Sequence, residues 1–92
     1  MGSDVLTEAW HLVNYNRQDS YGHVTDDYRR VTSIFRAIAG KHLHLDEAIL
    51  FMVSVKLARL HYNLQRGELH RDSLVDAIGY LALLEQIHAP DA

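Results

Sequence analysis

The 92-residue sequence has no cysteine and only one proline, Pro90. Without thiols the chain can form neither a disulfide nor a zinc site with Cys ligands, and it has no Cys nucleophile. One proline and five glycines leave few breaks in regular structure. A domain of this size buries only about two-thirds of its unfolded surface. We therefore expect assembly with other chains to add stability.

The chain also lacks a strong charge of one sign and a long apolar run. Nine Lys and Arg against twelve Asp and Glu give a net charge of -3, which disfavours the basic footprint of a duplex nucleic-acid binder. The longest apolar run, from Ala48 to Val53, is far short of the roughly 20 residues of a membrane span. The N-terminus shows no signal-peptide pattern. These features predict a cytoplasmic protein without a membrane or duplex nucleic-acid partner.

The residues that are present predict one all-α domain over residues 1–92, of which Met1, Gly2 and Ser3 carry no weight because cloning can add them. Apolar residues follow the helical period nearly throughout, with no repeat or linker. The fold class is a bundle of about four helices. The predicted helices are Asp4 to Asn14, Thr25 to about Ala39, Leu45 to about Tyr62, and about Arg71 to His88.

Two predicted helices carry apolar faces that must be buried against another part of the structure. Val31, Ile34, Phe35 and Ile38 are predicted to form the buried face of the second helix, which Gly40 ends in a left-handed conformation. The third helix contains AILFMVSV and is apolar almost all round. A monomer would expose one flank of it, so the pattern predicts a homo-oligomer, a dimer or larger, with the third helix at the interface.

Lys56 stands where an apolar residue is expected. It follows Ile49 by seven residues and Met52 by four, and so shares their helical face. Burying an unpaired ammonium costs several kcal/mol, so Lys56 needs a carboxylate. Asp76 is the best candidate, and Asp72, one turn earlier, points the same way.

Arg59 can reach the same region from the third helix, and Gly79 and Tyr80 continue the face of the two aspartates. This charge cluster is either a set of interhelical salt bridges that fixes the register of the bundle or a ligand site. Gly79 costs about 1 kcal/mol in a helix relative to Ala. It indicates either tight helix packing or the close approach of a flat ligand.

The loop before the second helix combines Arg17, which can grip phosphate oxygens, with Tyr21, which can stack on a base. Such composition is typical of nucleotide recognition and also of ordinary surface loops. A Mg²⁺ ion would use carboxylates with retained waters, here Asp72 and Asp76 with Glu47 as a third. The densest histidine pair, His42-x-His44, is weak support for a metal site because no third ligand lies nearby in sequence.

The order of motifs resembles a phage-enriched family of small MazG-like helical domains, over about Arg17 to Glu85. The segments that carry the resemblance are RQDSYG, DDYRRVTSIFRAIAG, DEAILFMVSVKLARL and HRDSLVDAIGYLALL. Its most telling part is K-x-x-R combined with D-x-x-x-D-x-x-G-Y. The residues of these motifs are Lys56, Arg59, Asp72, Asp76, Gly79 and Tyr80. Arg17, Tyr21 and Gly22, upstream in the sequence, also match.

The resemblance implies an all-α, oligomeric protein that handles nucleotides. The wider MazG-like group hydrolyses nucleoside triphosphates with magnesium, which it holds with E-x-x-E and E-x-x-D pairs. Here Lys56 and Arg59 stand where further acids would be needed, and only Asp72 and Asp76 keep the acidic side. This departure disfavours catalysis and remains compatible with binding of a nucleotide.

Three functions therefore stay open. The first is binding of a nucleotide or related phosphorylated small molecule by Arg17, Tyr21, Lys56, Arg59, Asp76 and Tyr80, with sequestration of a nucleotide signal in the host cytoplasm as one use if the chain is phage-encoded. The second is a magnesium-dependent nucleotide pyrophosphohydrolase in which Asp72 and Asp76 ligate the metal. The third is a structural or interaction module in which the charge cluster only sets packing.

Overall fold

A computed structural model describes residues 4–16 and 21–89, and all regular structure in these residues is helical. The elements are α1 (Val5–His11), which continues as a π-helical stretch (Leu12–Asn16), α2 (Val24–Ala39), α3 (Leu45–Gln65) and α4 (Arg71–His88). The prediction of an all-α fold with about four helices is confirmed. None of the described helices combines the length and hydropathy needed to cross a bilayer.

The ends of α1 and α2 follow from local hydrogen bonds. Asp4 caps α1, because its Oδ1 accepts from the backbone N–H of Thr7 at 2.8 Å. His23 caps α2, since its Nδ1 accepts from the backbone N–H of Thr25 at 3.2 Å. α2 therefore begins at Val24, one residue before the predicted start at Thr25, and the cap is His23. Gly40 ends α2 with φ +69°, as predicted.

Histidines also precede the other two long helices. At the start of α3, the backbone N–H of His44 donates to Oε1 of Glu47 at 2.9 Å. At the start of α4, Nδ1 of His70 accepts from the backbone N–H of Ser73 at 3.3 Å and lies 2.6 Å from its hydroxyl. α3 ends at Gln65, later than the predicted end near Tyr62.

The core lies where α2, α3 and α4 meet the π-helical stretch. Its buried members are Val13, Val24, Tyr28, Ala48, Ile49 and Leu83, with Leu43, Leu45, Tyr80, Leu84 and Ile87 packed around them. α4 is the central element, because it contacts each of the other helices. Polar contacts join it to its neighbours: Arg71 pairs with Glu8 of α1, and Nε2 of His88 lies 2.8 Å from Oδ1 of Asp46 on α3.

The predicted buried face of α2 is not buried in the single chain. Only Val24 and Tyr28, in the first half of α2, are buried. All four predicted members are exposed instead, by 40% for Val31, 60% for Ile34, 38% for Phe35 and 81% for Ile38. The periodicity identified the side chains that share a face. The fold covers that face only over its N-terminal half.

α3 also exposes one apolar flank, as its composition predicted. Leu50, Phe51 and Leu57 are 47%, 65% and 51% exposed, whereas Ile49 and Val53 on the neighbouring face are buried. These residues therefore form an apolar surface of the single chain. The homo-oligomer inferred from this flank stays a prediction.

Candidate functional site

The charge cluster predicted from helical spacing has a real ion pair at its centre. Nζ of Lys56 on α3 lies 2.9 Å from Oδ2 of Asp76 on α4. The Lys56 side chain is only 15% exposed, and that of Asp76 is 33% exposed. Lys56 is held among buried residues because it lies on the same face of α3 as Ile49 and Val53. The predicted partnership of Lys56 with Asp76 is confirmed, while its role remains a prediction.

Arg59 and Asp72 extend the cluster outward from this pair. Both residues are exposed, and each lies about one helical turn from a member of the pair. Among the described residues, no hydrogen bond or ion pair engages the Arg59 guanidinium or the Asp72 carboxylate. The Arg59 carbonyl accepts a hydrogen bond from Nδ2 of Asn63 at 2.9 Å. Arg59 therefore offers an accessible cation beside a shielded one.

Gly79 and Tyr80 belong to the packing of the helices. A Cβ at Gly79 would lie 3.5 Å from Cγ2 of Val13 in the π-helical stretch, an ordinary van der Waals distance. Gly79 is buried, so a flat ligand cannot approach it in the single chain, but a methyl group fits, so close helix packing does not require a glycine either. Tyr80 is half-buried against the core cluster. Part of its ring surface is therefore already used within the fold.

Of the two upstream residues of the predicted site, the structure describes Tyr21 but not Arg17. Tyr21 is 56% exposed, and its carbonyl accepts from Nη2 of Arg30 at 2.8 Å. This hydrogen bond ties Tyr21 to α2 and not to the helices that hold the ion pair. Arg17 lies outside the described residues.

The carboxylates do not form a fitting set for Mg²⁺. Within residues 4–16 and 21–89, no three His, Asp or Glu side chains gather in a way that could hold a metal ion. Asp76 already faces the Lys56 ammonium, and Oε1 of Glu47 accepts from the backbone of His44. An ammonium at hydrogen-bonding distance repels a divalent cation. Nε2 of His42 and Nδ1 of His44 lie 3.3 Å apart and hydrogen-bond each other.

A surface cavity of about 260 Å³ lies elsewhere, between α1 and α4. Leu6, Trp10, Ile78 and Ala82 supply its apolar wall and Glu85 a charged edge. No residue of the charge cluster lines it. The sequence did not predict this cavity. The spacing of Leu6 and Trp10, four residues apart, indicates a shared helical face. Only the structure shows that this face is open, with the two residues 65% and 53% exposed.

Comparison with known proteins places the chain in a family. The family model described as "Domain of unknown function (DUF6378)" matches residues 4–88. The chain belongs to the DUF6378 family.

Two curated phage proteins are similar to this DUF6378 chain. They are the "Gene 55 protein" of Mycobacterium phage D29 and the "Gene 55 protein" of Mycobacterium phage L5, each 27% identical over 88 residues. The alignments cover 96% and 95% of this chain but 56% and 54% of the relatives. The chain thus spans about half the length of these relatives. No solved structure matches it significantly.

Proposed function

We propose that this DUF6378 domain binds a nucleotide or a related phosphorylated small molecule at the charge cluster. The observation that carries the proposal is the shielded Lys56 ammonium held by Asp76, with the exposed Arg59 about one helical turn away and without a salt bridge among the described residues. An arginine can donate two parallel hydrogen bonds to phosphate oxygens, and a lysine adds a point charge. The pair would neutralise phosphate without a metal ion.

Asp76 has a positioning role in this proposal. Its carboxylate fixes the Lys56 ammonium at the junction of α3 and α4, and a phosphate oxygen would approach the ammonium from the solvent side. A lysine that is 15% exposed loses little further hydration when an anion binds. Tyr21 is the better base-stacking candidate because it is more exposed than Tyr80, and Arg17 joins the set through the family resemblance alone.

A MazG-like relationship and homo-oligomeric assembly are part of the same proposal. The phage origin of the two curated relatives supports a phage setting, in which the domain would act in the host cytoplasm and sequester a nucleotide signal. The exposed apolar flank of α3 supports assembly with other copies.

The pyrophosphohydrolase alternative has weaker support. It needs several carboxylates around Mg²⁺, and the donor set around Asp72 and Asp76 does not fit the ion. The packing alternative has a specific observation in its favour, since the Lys56–Asp76 pair joins α3 to α4. The decisive experiment must therefore separate ligand binding from packing.

Thermal-shift measurements against nucleoside mono-, di- and triphosphates and cyclic nucleotides, with and without Mg²⁺, make this separation. A ligand of the native state raises the midpoint, by about 4–8 °C for each kcal/mol of binding stabilisation in a domain of this size. We expect at least one nucleotide to shift the wild type and to shift Lys56→Met much less. Arg36→Gln, a matched change of an exposed arginine on α2, should keep the full shift. No shift across the panel would refute binding and favour the packing module.

A further inference from the structure

The C-terminal half of α3 and its cap are basic and carry no acidic side chain. Between Glu47 and Glu68 the sequence contains no Asp or Glu, although acidic residues outnumber basic ones in the whole chain. Lys56, Arg59 and the C-cap residue Arg66 all lie in this stretch. The charge cluster therefore continues toward the end of α3, where an anion meets no repulsion from acidic side chains of that helix.

An exposed tyrosine lies on the same face of α3 as these cations. Tyr62 follows Arg59 by three residues and Lys56 by six, so the three side chains project within a sector of about 120°, with Arg59 in the middle. Along the helix axis, Tyr62 lies about 4.5 Å from Arg59 and about 9 Å from Lys56. Tyr62 is 58% exposed. Its ring leans toward Arg59, because side chains on a helix point back toward the N-terminus.

Arg66 holds the Tyr62 ring in place. Nη1 of Arg66 donates to the Tyr62 hydroxyl at 3.1 Å, and Cζ of the guanidinium lies 5.5 Å from the centroid of the ring. The guanidinium therefore lies toward the hydroxyl end of the ring. A ring fixed in this way loses less side-chain entropy when a planar group stacks on it. Because such a pair also stabilises the end of a helix, a role in recognition needs a readout that helix stability does not change.

Tyr62 meets the conditions for stacking better than the two tyrosines predicted from the sequence. The carbonyl of Tyr21 accepts from Arg30 on α2, away from the helices that hold the ion pair. Tyr80 is half-buried against the core cluster. Tyr62 is exposed, is fixed by Arg66 and lies on the helix that carries the cations.

We propose that Tyr62 stacks on the base of a nucleotide whose phosphates lie at Lys56 and Arg59. Aromatic side chains beside cations hold bases and phosphates together, and a stack of this kind tolerates any base because every base has a π-face. The inference rests on the proposed function and narrows its ligand to one with an aromatic base, since a phosphorylated sugar has no planar ring to stack. Arg66 is a positioning residue that acts through Tyr62.

Calorimetric titration of ATP, GTP, CTP and UTP beside inorganic tripolyphosphate tests the inference. The five ligands share three linked phosphates, and only the nucleotides carry a base. Tyr62→Leu should bind the tightest of the four nucleotides at least about tenfold more weakly than the wild type, the size of one base–aromatic stack, and should bind tripolyphosphate equally well. Tyr62→Trp should keep the nucleotide affinity. Tyr21→Leu, which replaces a tyrosine that is 56% exposed, is the matched control and should also keep it.

Tripolyphosphate binding also shows whether Tyr62→Leu keeps its fold and its cations. Arg66→Gln should weaken nucleotide binding in the wild-type background and have no effect in the Tyr62→Leu background, because Arg66 acts through the ring. Equal nucleotide affinity of Tyr62→Leu and the wild type, an equal loss of both kinds of ligand, or binding of tripolyphosphate without any nucleotide would overturn the Tyr62 assignment alone. No binding of any of the five ligands to the wild type would overturn the phosphate site of the charge cluster and the Tyr62 assignment with it.

Discussion

Nζ of Lys56 lies 2.9 Å from Oδ2 of Asp76, so α3 and α4 are joined by a charge pair that is mostly shielded on the lysine side. A pair in this position should contribute to stability and, under the proposed function, to the binding of phosphate. Removing the charge of Asp76 leaves the shielded Lys56 ammonium unpaired. Removing the charge of Lys56 instead leaves the Asp76 carboxylate unpaired, and that carboxylate is more exposed to water. The two single substitutions should therefore behave differently.

Asp76→Asn should lower the free energy of unfolding by about 1–2 kcal/mol, because Lys56 loses its anionic partner. The loss should be below that of a fully buried pair because Asp76 is one-third exposed. Lys56→Met, which keeps a long side chain, should be neutral or stabilising. Urea denaturation at neutral pH measures both. Equal stability of Asp76→Asn and the wild type would show that the pair contributes nothing to the fold.

Gly79→Ala should raise the free energy of unfolding by about 1 kcal/mol, the gain in helix propensity. The new Cβ would lie 3.5 Å from Cγ2 of Val13, where it can pack without displacement. Gly40→Ala is the opposite case, since φ is +69° there and alanine is strained in that region. Thermal or urea denaturation should give changes of opposite sign. Destabilisation by Gly79→Ala would mean that the helices pack too closely at this position for a methyl group.

His70→Ala should destabilise the chain by about 1–2 kcal/mol, since it removes both the cap of α4 and the partner of the Ser73 hydroxyl. Ser73 is 1% exposed, so water cannot readily replace that partner. His70→Asn should recover most of the loss, because an amide oxygen can accept from the same backbone N–H. Chemical denaturation measures both variants. Equal stability of the alanine variant and the wild type would contradict the capping role.

The pKa of Asp4 is lowered from its ordinary value of 3.8, first of all by the hydrogen bond from the backbone N–H of Thr7. A carboxyl whose pKa is lower in the folded state stabilises fully above its ordinary value and loses that contribution as pH falls through the lowered one. Asp4→Asn keeps an oxygen acceptor but cannot titrate. Its stability should therefore fall less steeply in acid, as urea midpoints measured from about pH 5 to pH 2 would show. Parallel pH profiles would contradict this.

The positions of the helices were predictable, but which of their apolar faces are buried in the single chain was not. Apolar spacing located all four helices and correctly grouped Val31, Phe35 and Ile38 on one face, since periodicity reports which residues lie together. Periodicity cannot show whether other helices cover that face. The structure shows that the covering of this face ends after Tyr28.

The charge cluster was predictable at its centre for a similar reason. An ammonium on an apolar face requires a carboxylate, so the position of Lys56 pointed to Asp76. The contact of Gly79 with Val13 was beyond prediction, because it depends on a π-helical stretch and on a neighbour far away in sequence. The caps supplied by His23 and His70 were missed because histidine is not among the usual N-cap residues.

Isothermal titration calorimetry with the nucleotide that raises the thermal midpoint most tests the central claim most directly. The wild type and Arg36→Gln should bind it with equal affinity, and Arg59→Gln should bind at least about tenfold more weakly, the loss of one charged hydrogen bond to phosphate. Because Arg59 is exposed and its side chain makes no hydrogen bond or ion pair with the described residues, its replacement should leave the fold intact. Equal affinity of Arg59→Gln and the wild type, or no nucleotide binding at all, would contradict the account.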